Sequence, residues 1–431
     1  MSSPSPLFAP LTLPSGAVLP NRIAKAAMEE NLAAPGQLPG PRLVRLYERW
    51  SRGGAGLLVT GNVMVHAAAL TGPAGVVLDE HSPLSPFQDW ARAARSGGAR
   101  VWMQVNHPGR QVQADMPGVA WAPSPVRVDI GRNSKRLAAP AAMTPEQIEA
   151  TVARFATTAR RAEEAGFDGV EIHAAHGYLL SQFLSPLTNR RTDAWGGSLD
   201  HRARLLLDVV RATRAAVAPG FAVAVKLNSA DFQRGGFDAD DARAVIDLLA
   251  PLGVDLVELS GGSYESPAMT GNAAEPAGGP GSGSGSGSGD ERTRAREAYF
   301  LTLAEQLAAT SPLPLMLTGG IVRRPVAEEV LAGGIDLVGM GSALAVDPDL
   351  PAKWRTADGA EAQVRLAPVT ITDKAAASAA SMARIRYQLR RLGRGRRTRP
   401  GIDPLAAYLR EVPLRRRALR RYRTWLAARP A

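Results

Sequence analysis

The chain has 431 residues, room for one large domain or several small ones, and its 45% hydrophobic and 21% charged residues are the balance of a globular protein. It has no cysteine, which excludes disulfides, thiolate-bound zinc, iron–sulfur clusters and cysteine nucleophiles together. The formal charge of +11 is concentrated at one end: residues 366–431 carry 17 Lys and Arg against 3 acids, so residues 1–365 are slightly acidic.

The Met-Ser-Ser-Pro start lacks a basic and then apolar leader, and no run of about 18 apolar residues occurs. A cytoplasmic protein without a membrane span is the expectation. In chain order, short apolar runs predict strands at Asn21–Ala27, Ala55–Gly61, Val101–Asn106, Gly169–His173, Ala222–Leu227, Val254–Ser260, Pro314–Thr318 and Asp336–Met340. Helix-length segments separate most of them, the pattern of a parallel sheet with βα crossovers. Eight such units predict an α/β fold of the TIM (β/α)8 barrel type over residues 1–365, with a basic helical C-terminal extension over 366–431.

The helix before the fourth strand is written out most fully. Thr144 suits the N-cap, Pro145 the first position, and Gln147 completes a capping box. Ile148, Val152, Phe155, Ala156, Ala159 and Ala162 form one apolar face, and Gly166 marks the stop. Gly278–Gly289 (GGPGSGSGSGSG) is low in complexity and reads as a loop after the sixth strand. In the tail, Ala375–Arg391 and Pro404–Ala428 are helical by pattern, the second with a dense arginine run.

In such a barrel, chemistry sits at the C-terminal strand ends. Those ends carry Ala27, Met28 and Glu29; Gln104; His173, His176 and Tyr178; Lys226; Gly319 and Gly320; and Gly341 and Ser342. The glycine turns after strands seven and eight suit a phosphate, because backbone N–H groups can approach an anion closely there. Two imidazoles can donate to one substrate oxygen, or one of them is structural; a metal reading lacks a third ligand. Lys226 ends a buried strand and needs a partner, either a neighbouring acid or an electron-rich ligand.

The stretch FDGVEIHAAHGYLLSQFLSPLTNRRTDAWGGSLDHRAR (Phe167–Arg204) resembles the signature of the Old Yellow Enzyme family of FMN-dependent NAD(P)H:flavin oxidoreductases and ene-reductases. LFAPLTLPSGAVLPNRIAKAAM, WMQVNHPGRQ, VKLNSADF, LTGGIVRRP and DLVGMGSALAVDPDLP are similar to further family motifs, in the same order across about residues 7–355. The resemblance implies FMN in the barrel mouth. Gln104 would bond the pyrimidine edge, and Lys226 would face N1 and O2. Ala27, Met28 and Gly61 would lie along the ring, and Gly319, Gly320, Gly341 and Ser342 would lie at the phosphate. His173 and His176 would hold the carbonyl or nitro oxygen of an electrophilic alkene, and Tyr178 would donate the proton. NADH or NADPH would supply hydride in a ping-pong order.

Two positions depart from the family pattern. Glu29 replaces a Thr or Cys beside flavin O4: either it is protonated, or it turns away, or the potential is lowered. Ser342 replaces an Arg on the phosphate, with Arg323 or Arg324 as candidate substitutes. Alternatives are a flavin-dependent reductase acting on another small substrate, or a non-redox phosphate-binding lyase or isomerase using Lys226. For the tail, a helical extension packing on the barrel or in a homo-oligomer is preferred over a nucleic-acid-binding arm.

Overall fold

The eight apolar runs become eight parallel strands in the computed structural model, which describes residues 5–263, 265, 303–356, 359–364, 369, 371 and 374–429. They are β1 (Ile23–Lys25), β2 (Leu57–Val59), β3 (Arg100–Asn106), β4 (Gly169–Ala174), β5 (Ala222–Asn228), β6 (Leu256–Ser260), β7 (Leu315–Thr318) and β8 (Leu337–Met340). Each pairs in parallel with the next, and β8 pairs with β1 through Gly339↔Ala24, so the sheet closes into a barrel without edges. Nearly every strand residue is buried, because helices cover the outside and side chains fill the inside.

The period of two sorts the inward residues into layers. At the N-terminal end, Ala24, Leu57, Val59, Trp102, Ala222, Ala224, Leu256, Met316 and Leu337 form an apolar plug. A hairpin of Leu11–Thr12 and Val18–Leu19 seals it from below with Leu11, Leu13 and Leu19. Two residues further along the same strands the inward positions turn polar: Gln104, Glu171, Lys226 and Glu258, then Asn106, His173, Asn228 and Ser260. The switch from apolar floor to polar mouth places the site before any chemistry is considered.

The covering helices are α1 (Pro41–Ser51), α2 (Ser85–Arg95), α3 (Pro145–Glu164), α4 (Leu179–Leu184), α5 (Leu199–Ala216), α6 (Ala239–Leu249), α7 (Arg324–Ala332), α8 (Ser342–Val346) and α9 (Leu350–Trp354). The start of α3 is the expected capping box. Gln147 N donates to Thr144 Oγ1 at 3.3 Å, and Thr144 N donates to Gln147 Oε1 at 3.0 Å. Gly166 follows with φ +86°, a conformation that favours glycine.

The tail forms α10 (Lys374–Leu392) and α11 (Pro404–Ala427), which pack on each other and on the barrel. Tyr422, fully buried, and Leu419 join Met64, Leu70, Val77, Val112 and Met116 from the loops after β2 and β3. The Tyr422 hydroxyl donates to Ala67 O at 2.9 Å, and Arg415 donates to Asp115 at 2.7 Å. Among the described residues no helix is long and apolar enough to cross a membrane. Gly278–Gly289 lies outside the described residues.

Candidate active site

The parallel barrel brings the C-terminal ends of all eight strands to one mouth, and the residues singled out from the sequence stand around it. His173 projects inward from β4, and the loop to α4 carries His176 and Tyr178. The ring centres of His173 and His176 are 5.1 Å apart, and those of His173 and Tyr178 are 4.8 Å apart, both edge-to-face. The three expected side chains therefore form one cluster.

Hydrogen bonds fix the orientation of both imidazoles. His173 Nδ1 accepts from Ala175 N at 3.2 Å, which places the proton of a neutral ring on Nε2. His176 has φ +61°, uncommon for a residue with a side chain. It is held there because its N–H donates to Asn228 Oδ1 at 3.0 Å and its carbonyl accepts from Gln111 at 3.0 Å. Its Nε2 lies 2.7 Å from Ser260 Oγ. Burial, with the Lys226 cation nearby, pushes His176 down to about 3; burial, His176 and Lys226 hold His173 well below the ordinary range. Both rings are thus neutral near pH 7 and act as hydrogen-bond partners rather than as acids.

Beneath them lies a buried polar layer. Lys226 donates to Glu258 on the adjacent strand, and Gln104 Nε2 donates to Glu171 Oε2 at 2.5 Å. The expected partners of a flavin edge are therefore held by two glutamates that the sequence reading passed over. The signal was present: each is an acid inside an apolar run (GVEIH and LVELS), two residues before His173 and Ser260 on the same inward face.

Met28 lines the wall between β1 and β8; a Cβ built on Gly341 would lie 3.6 Å from its Cγ. Gly61 is tied by its backbone to residues behind the wall. Its N–H donates to Glu30 Oε1 and to the Tyr47 hydroxyl, each at 3.0 Å, and a Cβ there would strike Glu30 and the Met28 carbonyl. Only its Cα is left to face a ring. Lys25, Glu30 and Tyr47 form a buried network behind the wall, a second feature the sequence reading missed.

Gly319 and Gly320 adopt φ +152° and +67°, and both are exposed, as is Ser342 at the start of α8. Backbone groups are therefore open to an anion on this side. Arg324 is committed elsewhere, to Glu328 Oε1 at 2.9 Å and the Trp354 carbonyl at 2.8 Å. Glu29 accepts from the Thr71 hydroxyl and lies 3.8 Å from Arg386 of α10.

A closed parallel barrel with paired neutral imidazoles, a tyrosine, a buried cation and open glycine turns at its mouth defines a barrel oxidoreductase of the flavin-binding class. Residues 6–358 match the model of the NADH:flavin oxidoreductase / NADH oxidase family, and the chain belongs to that family, the Old Yellow Enzyme family. It is 37% identical over 360 residues to the NADH-dependent flavin oxidoreductase iliE of Hypocrea jecorina, covering 79% of this chain and 87% of that one. It is 35% identical to the NADH-dependent flavin oxidoreductase iccE of Talaromyces variabilis, covering 79% and 84%. Among solved structures it resembles morphinone reductase, at 25% identity and a TM-score of 0.66 over 84% of this chain and 92% of that one. It also resembles a 2-naphthoyl-CoA reductase, at 26% identity and a TM-score of 0.69, and spans about half (52%) of that chain. FMN and a nicotinamide are the cofactors of an enzyme of this family. The matched span ends before α10, so both tail helices lie beyond it.

Proposed function

We propose that the protein is an ene-reductase: it passes hydride from NADH or NADPH through FMN to an alkene activated by a carbonyl or nitro group, in ping-pong order. The observation that carries this reading is the His173–His176–Tyr178 cluster over a mouth whose residues suit FMN. The fit rests on three features: exposed glycine turns for the phosphate, the amide of Asn106, fully buried and unpaired among the described residues, and the buried Lys226 cation. Gln104 and Lys226 would hold the pyrimidine edge, Ala27, Met28 and the Gly61 Cα the ring, and Gly319, Gly320, Gly341 and Ser342 the phosphate. When bound, FMN supplies the two-electron storage that separates the nicotinamide half-reaction from the alkene half-reaction.

His173 Nε2 and the His176 ring bind the oxygen of the withdrawing group, and their neutrality lets them polarise it without protonating it. Tyr178, 7% exposed, holds a proton beside them and delivers it to the carbon next to the withdrawing group. Asn228 and Gln111 keep the His176 backbone in its left-handed conformation, and Ser260 meets its ring. The same mouth must release the nicotinamide before the alkene enters, which gives the ping-pong order.

The test is two half-reactions. Purified protein should be yellow, its flavin absorbance should bleach with NADH, and an α,β-unsaturated ketone or nitroalkene should restore the colour without oxygen. Bleaching without recovery on any activated alkene defeats the alkene assignment. A colourless protein that takes up no FMN defeats the whole reading.

A further inference from the structure

The polar layer under the mouth holds two carboxylates and one well-placed cation. Glu171 (β4) and Glu258 (β6) are both fully buried, and each lies near enough to act electrostatically on the other. Lys226, on β5 between them, donates to Glu258 Oε1, while Gln104 on β3 donates to Glu171 Oε2. The remaining oxygens, Glu171 Oε1 and Glu258 Oε2, have no donor among the described residues. Two carboxylate oxygens can bond each other only with a proton between them. Burial and the neighbouring Glu258 raise Glu171 well above the carboxylate range, whereas Lys226 helps hold Glu258 low despite its burial. The other charged or titratable groups near the pair are His173 on β4, His176 in the following loop and Lys25 on β1.

We propose that Glu171 and Glu258 share one proton and form the counter-ion of Lys226, so that Glu258 is a positioning residue that sets how much positive charge a bound flavin meets. With one proton in the pair, the layer of Gln104, neutral Glu171, ionised Glu258 and Lys226 carries no net charge. A flavin ring bound over it would meet a cation already compensated by a carboxylate. The reduced ring bears more negative charge than the oxidised ring, so this carboxylate favours the oxidised form and lowers the reduction potential. This inference rests on the proposed seat of FMN, but the shared proton does not.

The experiment has two arms on the full-length protein. In the first, infrared spectra of flavin-free protein with 13C-labelled glutamate are compared in light and heavy water at pH 7. A protonated buried carboxyl band is expected, and Glu171→Gln should remove it. No such band in the unsubstituted protein, or its persistence in Glu171→Gln, overturns the shared proton. In the second, the midpoint potential of bound FMN is measured in Glu258→Gln. A tenfold or larger shift of the two-electron equilibrium toward reduced flavin is expected, about +30 mV per tenfold. An unchanged or lower potential overturns the positioning role. Glu258→Asp keeps the charge but shortens its reach; it should shift the potential the same way by less, and it serves where the glutamine variant does not fold. A protein that takes up no flavin defeats the functional reading, and the band still decides the pair.

Discussion

Tyr178 is the residue whose role separates most cleanly from binding. Its ring stands 4.8 Å from that of His173, so removing the hydroxyl leaves the packing in place. General acid catalysis is typically worth ~10²–10⁴ in rate. Tyr178→Phe is expected to slow alkene reduction by a factor in that range while flavin bleaching by NADH is almost unchanged; stopped-flow traces of the two halves measure this, and equal losses in both would refute the acid role. Ser342 poses the opposite question, that of a group the chain lacks. It is exposed at the start of α8, and Arg324 is occupied by Glu328 and Trp354. A charge-assisted hydrogen bond contributes roughly 1.5–3 kcal/mol, so Ser342→Arg is expected to tighten FMN binding about ten- to a hundredfold by fluorescence titration. Unaltered affinity would place the phosphate elsewhere.

At the scale of elements, the strands were legible because they are short apolar runs between helices, and the start of α3 because Thr144, Pro145 and Gln147 state a cap locally. The ends of β1 were not: the run expected from Asn21 to Ala27 is longer than the ladder, whose pairing is confined to Ile23–Lys25. The mouth cluster was legible from order along the chain. The Glu171–Glu258 pair and the Lys25–Glu30–Tyr47 network were not, because each joins residues far apart in sequence whose partners the closed sheet alone decides. The tail shows the same division. Its helices could be read from pattern, but their seat is set by Tyr422 and Leu419 entering a cluster of barrel loops. Arg415 and Arg429 face Asp115 and Asp79, so part of the basic run serves packing. Truncating a fully buried aromatic costs about 3–5 kcal/mol. Tyr422→Ala is expected to destabilise the whole protein by about that much in urea unfolding, since the cluster includes residues from the loops after β2 and β3. A change below about 1 kcal/mol would mean that α11 rests on the barrel without supporting it.

Across the molecule, four histidines are kept neutral by their surroundings, and this makes stability depend on acid. Burial is the first cause in each case: it pulls His66 to about 4 and His176 to about 3, and holds His107 and His173 well below the usual range. His66, His107 and Trp121 stack with ring centres 5.0 to 6.0 Å apart; the Asp79 carboxylate acts on His66 but is opposed by Arg154 and Arg429, and His107 has only His66 and Arg154 acting on it. Each folded-state value lies below the unfolded value of 6.5. The unfolded chain therefore binds more protons below pH 6.5, and the stability these groups contribute is complete above that pH and lost as the pH falls toward 4 and lower. Each group adds a slope of up to about 1.4 kcal/mol per pH unit, least for His66 and His176, which water reaches. Glu171 and Asp231, raised by burial, work in the opposite sense, because they are protonated more readily in the folded state. His107 isolates the effect, being 1% exposed and engaged through Nδ1, which accepts from Gly109 N at 3.1 Å. The Oδ1 of an asparagine can take over that bond without titrating. His107→Asn is therefore expected to flatten the fall in unfolding free energy between pH 6.5 and 4.5 by about one proton's worth, read from urea transitions at constant m-value. An identical slope in the variant would show that His107 is already charged in the folded protein and that the stack tolerates the cation.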